Sequence, residues 1–266
     1  MDERLEQAGR WLQDARRVVV FTGAGVSAES GVPTFRDAGG VWSRFPIDDF
    51  ATWEGIARTF EREPARLAEF VLGVIEPIAH ARPNPAHDAI AAIERHIPVT
   101  VITQNVDALH QAAGSSRVCE VHGSIFDVIS ATGERRHTLS RAAMSEVARR
   151  VRTAMTATAP GPRLTAAVRP IFGVDEIGPY RPSIVLFGDM LCEPDWSNAM
   201  EAAGDCDLLI SVGTSGEVYP AAGLPDLARS TGARVIAVDP GNPRGDIALR
   251  APAGEVMPEL IRRAFE

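Results

Sequence analysis

Cysteine is nearly missing from this chain. Three stand in 266 residues, Cys119, Cys192 and Cys206, far apart and without a C-x-x-C pair. That excludes a disulfide framework and argues against a cysteine zinc cluster; free thiols, buried or half-buried, are the expectation. No stretch approaches the roughly 20 apolar residues of a membrane helix, so no membrane span is expected. Positive charge is also short. Lys and Arg number 27 against 35 Asp and Glu, a net −8, which disfavours non-specific binding to nucleic acid or an anionic membrane. The opening MDERLEQAGRWLQDARR has the pattern of an amphipathic helix and no apolar segment of signal-peptide type. The cytoplasm is therefore the expected location. Internal repeats and low-complexity tracts are lacking as well.

What is present reads as an ordinary globular chain, 45% hydrophobic and 23% charged. It is long enough for one large core, or one core with a smaller satellite domain. RVVVF (17–21), VTVIT (99–103), RVCEV (117–121), SIVLF (183–187), DLLISVG (207–213) and RVIAVD (234–239) read as strands with little alternation. Such strands belong to parallel sheets covered on both faces. Helical patterns fall between them at 51–60, 64–76, 84–95, 195–203 and 254–265. The alternation predicts an α/β fold, a Rossmann-like doubly wound parallel sheet, over 1–42, 84–124 and 183–266. Two insertions, 43–83 and 125–182, break the repeat and are expected to pack as a smaller helical domain.

Most expected strands end in polar groups. GAGVSAESGVPTFRDAGGVW (23–42) follows the first; Gly23 and Gly25 allow a tight turn with N–H groups close to an anion. The spacing is not G-x-G-x-x-G, so the turn alone is weak evidence. Gln104, Asn105 and Asp107 follow the second strand, His122-Gly123-Ser124 the third. Thr214-Ser215-Gly216 and Asp239 follow the last two. Ligands of open α/β sheets bind at the carboxyl ends of the strands, and this mixture of glycines, amides, carboxylates and one histidine suits a dinucleotide.

These stretches resemble the sirtuins, NAD-dependent protein deacylases. The resemblance rests on GAGVSAESGVPTFRDAGGVW, TQNVDALHQAAG, VHGS, RPSIVLFGDML, VGTSGEVYPAAGL and APAGEVMPEL, in that order, and looks closest to the desuccinylase-like branch. It implies that Gly23, Ala24, Gly25 and Ser27 approach the pyrophosphate of NAD. Phe35 would shield the reactive ribose carbon and Arg36 would help hold the phosphate. Gln104 and Asn105 would contact the nicotinamide-side ribose, Asn105 also ordering a water, and Asp107 would recognise the carboxamide. Gly213, Thr214, Ser215, Asp239 and Ala253 would serve the adenosine half; Asp239 stands where Asn is common. His122 would be the general base, acting with Asn105 as the catalytic pair; its ordinary pKa lies near working pH. Val185, Leu186, Phe187 and Gly188 would pair with an extended acyl-lysine peptide, with Asp189 where Glu is usual. The resemblance implies release of nicotinamide and O-acyl-ADP-ribose.

The chain departs from the family in two places. Most sirtuins carry two C-x-x-C pairs between the HG motif and the RP…V.FG strand; here 125–182 has no cysteine. A helical pattern from Leu139 to Ala157 stands there, with Leu139, Ala143, Met144, Val147, Val151 and Met155 on one face. It is expected to replace the metal by an apolar mini-core, so no metal is expected; the rival is loss of both zinc and catalysis. Arg135, Arg136, Arg141, Arg149, Arg150 and Arg152 give the 135–152 segment a basic face, solvated or open to an acidic partner. The second departure concerns the acyl group. Where desuccinylases carry Tyr-x-x-Arg after a Phe, alignment on Phe70 puts Val71 and Val74, while Ala38 matches the small residue that widens the pocket. An apolar acyl group is the expectation. An ADP-ribosyltransferase or NAD hydrolase on the same scaffold, and a non-catalytic NAD or ADP-ribose sensor, stay open as alternatives. So does an acylated small molecule in place of the lysine.

Overall fold

The structure is a computed structural model and describes residues 2–35, 39–156 and 160–266. Its strands, in chain order, are β1 (Val18–Thr22), β2 (Val99–Thr103), β3 (Val118–Glu120), β4 (Gly123–Ser130), β5 (Arg135–Thr138), β6 (Gly173–Asp175), β7 (Gly178–Ile184), β8 (Leu208–Val212), β9 (Arg234–Val238) and β10 (Ile247–Leu249). They form two sheets, and the chain divides into two compact units. One comprises Met1–Ser30, Arg82–Val121 and Leu191–Glu266, the other Gly31–Ala81 and His122–Met190.

The first unit holds a six-stranded sheet in the order β10-β9-β8-β1-β2-β3, with every pairing parallel. β1 shows why its sequence is apolar throughout. Val18 and Val20 face the helices Asp2–Asp14, Pro85–Ile93 and Ala253–Phe265, packing with Leu12, Ile90, Ile93, Met257 and Leu260. Val19 and Phe21 face the other way, against Ala199, Ala203, Leu224 and Ala228. A strand buried on both faces has no room for a polar alternation. The sheet is Rossmann-like, as the sequence predicts.

The second unit carries a four-stranded antiparallel sheet, β5-β4-β7-β6, which the sequence reading does not anticipate. Its strands hide their type: β5 is RRHT, β6 has three residues, and β7 (GPYRPSI) contains two prolines, which argue against a strand. SIVLF (183–187) is thus a correction. Only its first two residues lie in a strand, and that strand pairs antiparallel with β4. The sixth parallel strand is instead β10, too short to stand out at three residues.

The unit bounds also differ from those read in the sequence: 31–42, 122–124 and 183–190 fall in the second unit and 82–83 in the first. Backbone bonds account for it. Val185 N–H donates to the His122 carbonyl and Phe187 N–H to that of Ala51. The expected mini-core helix is present as Arg141–Met155, capped by Ser140 and burying Met144, Val147, Ala148, Val151 and Ala154. It packs on the helix Pro64–His80, and Arg141 Nη1 donates to the Ile78 carbonyl at 2.7 Å. Among the described residues no helix is long and apolar enough to cross a membrane.

Candidate nucleotide site

The strand order reverses between β1 and β8, the topological switch point where open α/β sheets take their ligands. The glycines sit there. Gly23 N–H donates to the Val212 carbonyl and Gly25 N–H to that of Gly213. A Cβ on Gly23 or Gly25 would meet the Gly213 backbone at 2.8 Å, and one on Gly213 (φ +61°) would meet Val26 N at 2.3 Å. Two loops pressed this closely leave a wall of bare backbone, and no larger residue fits.

Beside that wall runs a buried polar chain. Ser27 Oγ donates to Asp107 Oδ2 at 2.7 Å and accepts from Asn105 Nδ2 at 3.0 Å. Asn105 Nδ2 also reaches the Gly23 carbonyl, and Asp107 Oδ1 takes Leu109 N–H at 2.9 Å. That last bond caps the short helix Leu109–Ala113 across Ala108, a non-glycine residue held at φ +53°. Such a conformation costs about 1 kcal/mol or more, and its place inside the QNVDA loop marks a constrained site. Gln104 Nε2 donates to Thr214 Oγ1 at 3.0 Å, tying the β2 loop to the β8 loop. Ala24 lies in the turn stretch Ala24–Ser30, and Ser215 is exposed two residues past Gly213. Asp239 follows β9 and accepts the Gly241 N–H at Oδ1, and Ala253 opens the last helix.

The sequence reading missed several members. His87 accepts the Asn84 N–H at Nδ1, so its Nε2–H points to Ser27 Oγ at 3.4 Å. Thr22 Oγ1 donates to Thr103 Oγ1 and so accepts from His110 Nε2–H at 3.0 Å. His110 Nδ1 has no hydrogen-bond partner among the described residues. Burial pushes His87 down to about 4 and His110 to about 3, the latter also by the neighbouring His87. Glu29 accepts the Gly254 N–H at the start of the last helix. Both histidines sit at helix positions otherwise filled by apolar residues, so periodicity hides them.

The other expected residues belong to the second unit. His122 opens it and is half-buried, immediately before β4. The Phe35 and Trp42 rings meet at a 40° tilt with centroids 5.5 Å apart. Arg36 and Ala38 lie outside the described residues. Val74 packs against Val41, Phe45 and Phe50, and Val71 is half-buried on the same helix. Val185–Gly188 stand past the end of β7 rather than in it. The arginines of 135–152 are engaged within their own unit: Arg149 and Arg150 on Glu146, Arg152 on Glu76, Arg135 on Asp127, Arg136 on Asp175. Sirtuin zinc does not fit here. Among the described residues no group of three or more His, Cys, Asp or Glu could hold a metal, and Cys119 and Cys206 are buried in the core of the first unit.

The Sir2 family model matches residues 23–220. Along the whole chain, an NAD-dependent protein deacylase of Pseudomonas aeruginosa is 43% identical over 263 residues, 96% of each chain. One of Mycobacterium tuberculosis is 40% identical over 252 residues, covering 93% of this chain and 97% of its own. Among solved structures, a Sir2 enzyme studied for mechanism and regulation superposes with a TM-score of 0.78 at 35% identity, over 99% of this chain and 98% of that one. A Sir2 protein bound to a myristoylated histone peptide gives 0.70 at 30%, over 99% and 97%. With the glycine wall, the Ser27–Asn105–Asp107 chain and these likenesses together, the chain belongs to the Sir2 family.

Proposed function

We propose that this protein is an NAD-dependent deacylase that removes acyl groups from lysine side chains of peptides. The observation that carries the reading is the buried Ser27–Asn105–Asp107 chain beside the Gly23–Gly25 and Gly213 wall. Its donor set fits NAD: bare backbone for the pyrophosphate, amides and hydroxyls for ribose, a carboxylate for the carboxamide. Bound NAD supplies an electrophilic ribose carbon whose leaving group is nicotinamide. Gly23, Ala24, Gly25 and Ser27 face the pyrophosphate, and Gln104 and Asn105 orient the adjoining ribose. Asp107 receives the carboxamide N–H. Ser27 and Leu109 each donate to its carboxylate, which holds it in place. Thr214, Ser215, Asp239 and Ala253 serve the adenosine half. Phe35 shields the ribose carbon, and Arg36 helps hold the phosphate. His122 is the general base that takes a proton from a ribose hydroxyl, and Val185–Gly188 seat the peptide. The protein is expected in the cytoplasm.

Replacing His122 by Ala tests the assignment. Loss of a general base removes roughly 10²–10⁴ in rate. We expect deacylation of an acetyl-lysine peptide to fall by that factor while calorimetric NAD binding stays close to the original. Near-normal turnover would overturn His122 as the base. Consumption of NAD without any deacylated peptide would point to hydrolysis or ADP-ribosyl transfer instead.

A further inference from the structure

Four backbone N–H groups in the segment Val185–Asp189 are committed within the second unit. Val185 donates to the His122 carbonyl, Phe187 to Ala51, Leu186 to Asp189 Oδ2 at 3.1 Å, and Asp189 back to the Leu186 carbonyl. That last bond closes a four-residue turn with Gly188 at the third position and φ +94°, the signature of a type II turn. The turn leaves Phe187 46% and Met190 88% exposed, so it presents apolar side chains outward while its polar groups are held from behind.

What holds it is unusual for a surface loop. The single oxygen Asp189 Oδ2 accepts both Leu186 N–H and the Trp53 indole N–H, the latter at 2.8 Å. Arg181 Nη2 stands 4.0 Å from the same oxygen. The Arg181 guanidinium lies 4.4 Å over the Trp53 ring and donates to the carbonyls of Pro182 and Ile184. On another side Trp53 stacks with Phe172, ring planes 12° apart. Trp53 begins the helix Trp53–Arg62, whose Thr52 cap fixes its first turn. A helix start, an arginine and a carboxylate thus converge on one turn.

We propose that Trp53 and Asp189, braced by Arg181, are positioning residues for the acyl-peptide, acting by holding the 185–189 turn in the shape that receives the substrate backbone. This rests on the deacylase reading, in which 185–188 seat the peptide. An extended peptide pairs with a preformed edge at lower ordering cost than with a mobile one. Loosening the brace therefore weakens peptide binding and leaves NAD binding and chemistry alone.

Steady-state kinetics on the intact protein, with NAD and one acetyl-lysine peptide varied separately, tests this in two variants. Trp53→Phe keeps an aromatic ring against Arg181 and Phe172 while removing the indole N–H. Asp189→Ala removes the acceptor. A hydrogen bond to a charged group is worth about tenfold in binding, so we expect peptide KM to rise about tenfold in each. kcat and NAD KM are expected to stay within about twofold of the original. Unchanged peptide KM in both variants, or equal rises in peptide and NAD KM, overturns the proposal. If Trp53→Phe fails to fold, the peptide KM of Asp189→Ala alone decides. Wild-type protein that consumes no NAD on the peptide would instead sink the deacylase reading itself.

Discussion

Ser27 has one proton to give and three neighbours placed to use its oxygen. It gives the proton to Asp107 and accepts from Asn105 and His87, which fixes both the serine rotor and the histidine tautomer. Ser27, Asn105 and Asp107 were legible because they fall in motif stretches; His87 and His110 were not, since buried histidines on apolar helix faces look like core. Their burial has a consequence for stability. Both keep a folded pKa below the ordinary 6.5, at about 4 and about 3, chiefly through desolvation of the charged ring. Between those values and 6.5 the unfolded chain binds more protons than the folded one. The stabilisation is therefore whole above about pH 6.5 and is lost as pH falls toward 4 and then 3. Each histidine contributes a slope of about 1.4 kcal/mol per pH unit in that window. Urea unfolding at pH 7, 6 and 5 is expected to show the decline, and His110→Gln to remove about half of it. A variant with the original slope would show that His110 is charged in the fold or titrates normally.

At the scale of elements, legibility followed burial. Strands covered on both faces, such as β1, β2, β8 and β9, read directly from apolar runs. Of the antiparallel strands of the second unit, β5 and β6 are short and largely exposed and β7 is broken by proline, so they carry little pattern to read. The helix Pro64–His80 lies between these cases: its existence was clear, but what its exposed turns touch was not. Phe45, Phe50 and Phe70 form an aromatic cluster with centroids 4.8 to 5.3 Å apart, and Val74 packs on it. Arg44 and Arg66 lie over the Phe45 ring, and Arg66 is already tied to the Arg44 carbonyl and Glu69. If Val71 and Val74 line the acyl site, a succinyl carboxylate there is desolvated without a cation, at a cost of about 3 kcal/mol or more. Butyryl gains about 0.8 kcal/mol per buried methylene over acetyl. For one peptide, kcat/KM is expected to run butyryl at or above acetyl, with succinyl lower by about two orders of magnitude. Efficient desuccinylation would mean that the Phe70 alignment is wrong or that an arginine of the 135–152 segment reaches the acyl group.

On the scale of the whole molecule, the missing cysteines reappear as a question of what stabilises the second unit. A structural zinc contributes folding energy outright, and a domain without one needs an apolar core in its place. The helix Arg141–Met155 supplies that core, with Met144 fully buried and Val147 and Val151 1% exposed. Residues that could have been drawn into a site are otherwise occupied: His137 Nε2 meets the Pro170 carbonyl at 3.0 Å, and Asp175 holds Arg136. The sequence points to such a replacement through two local facts, a cysteine-free interval and an apolar helical stripe. It could not announce the sheet the helix accompanies. Purified protein is therefore expected to contain far less than one zinc per chain, and a chelator to leave its Tm unchanged. Met144→Ala, by contrast, should cost about 2–5 kcal/mol, the range for removing a large buried side chain from a packed core. Elemental analysis and urea unfolding separate the two accounts. Stoichiometric zinc together with a harmless Met144→Ala would show that a metal, and not this helix, holds the unit together.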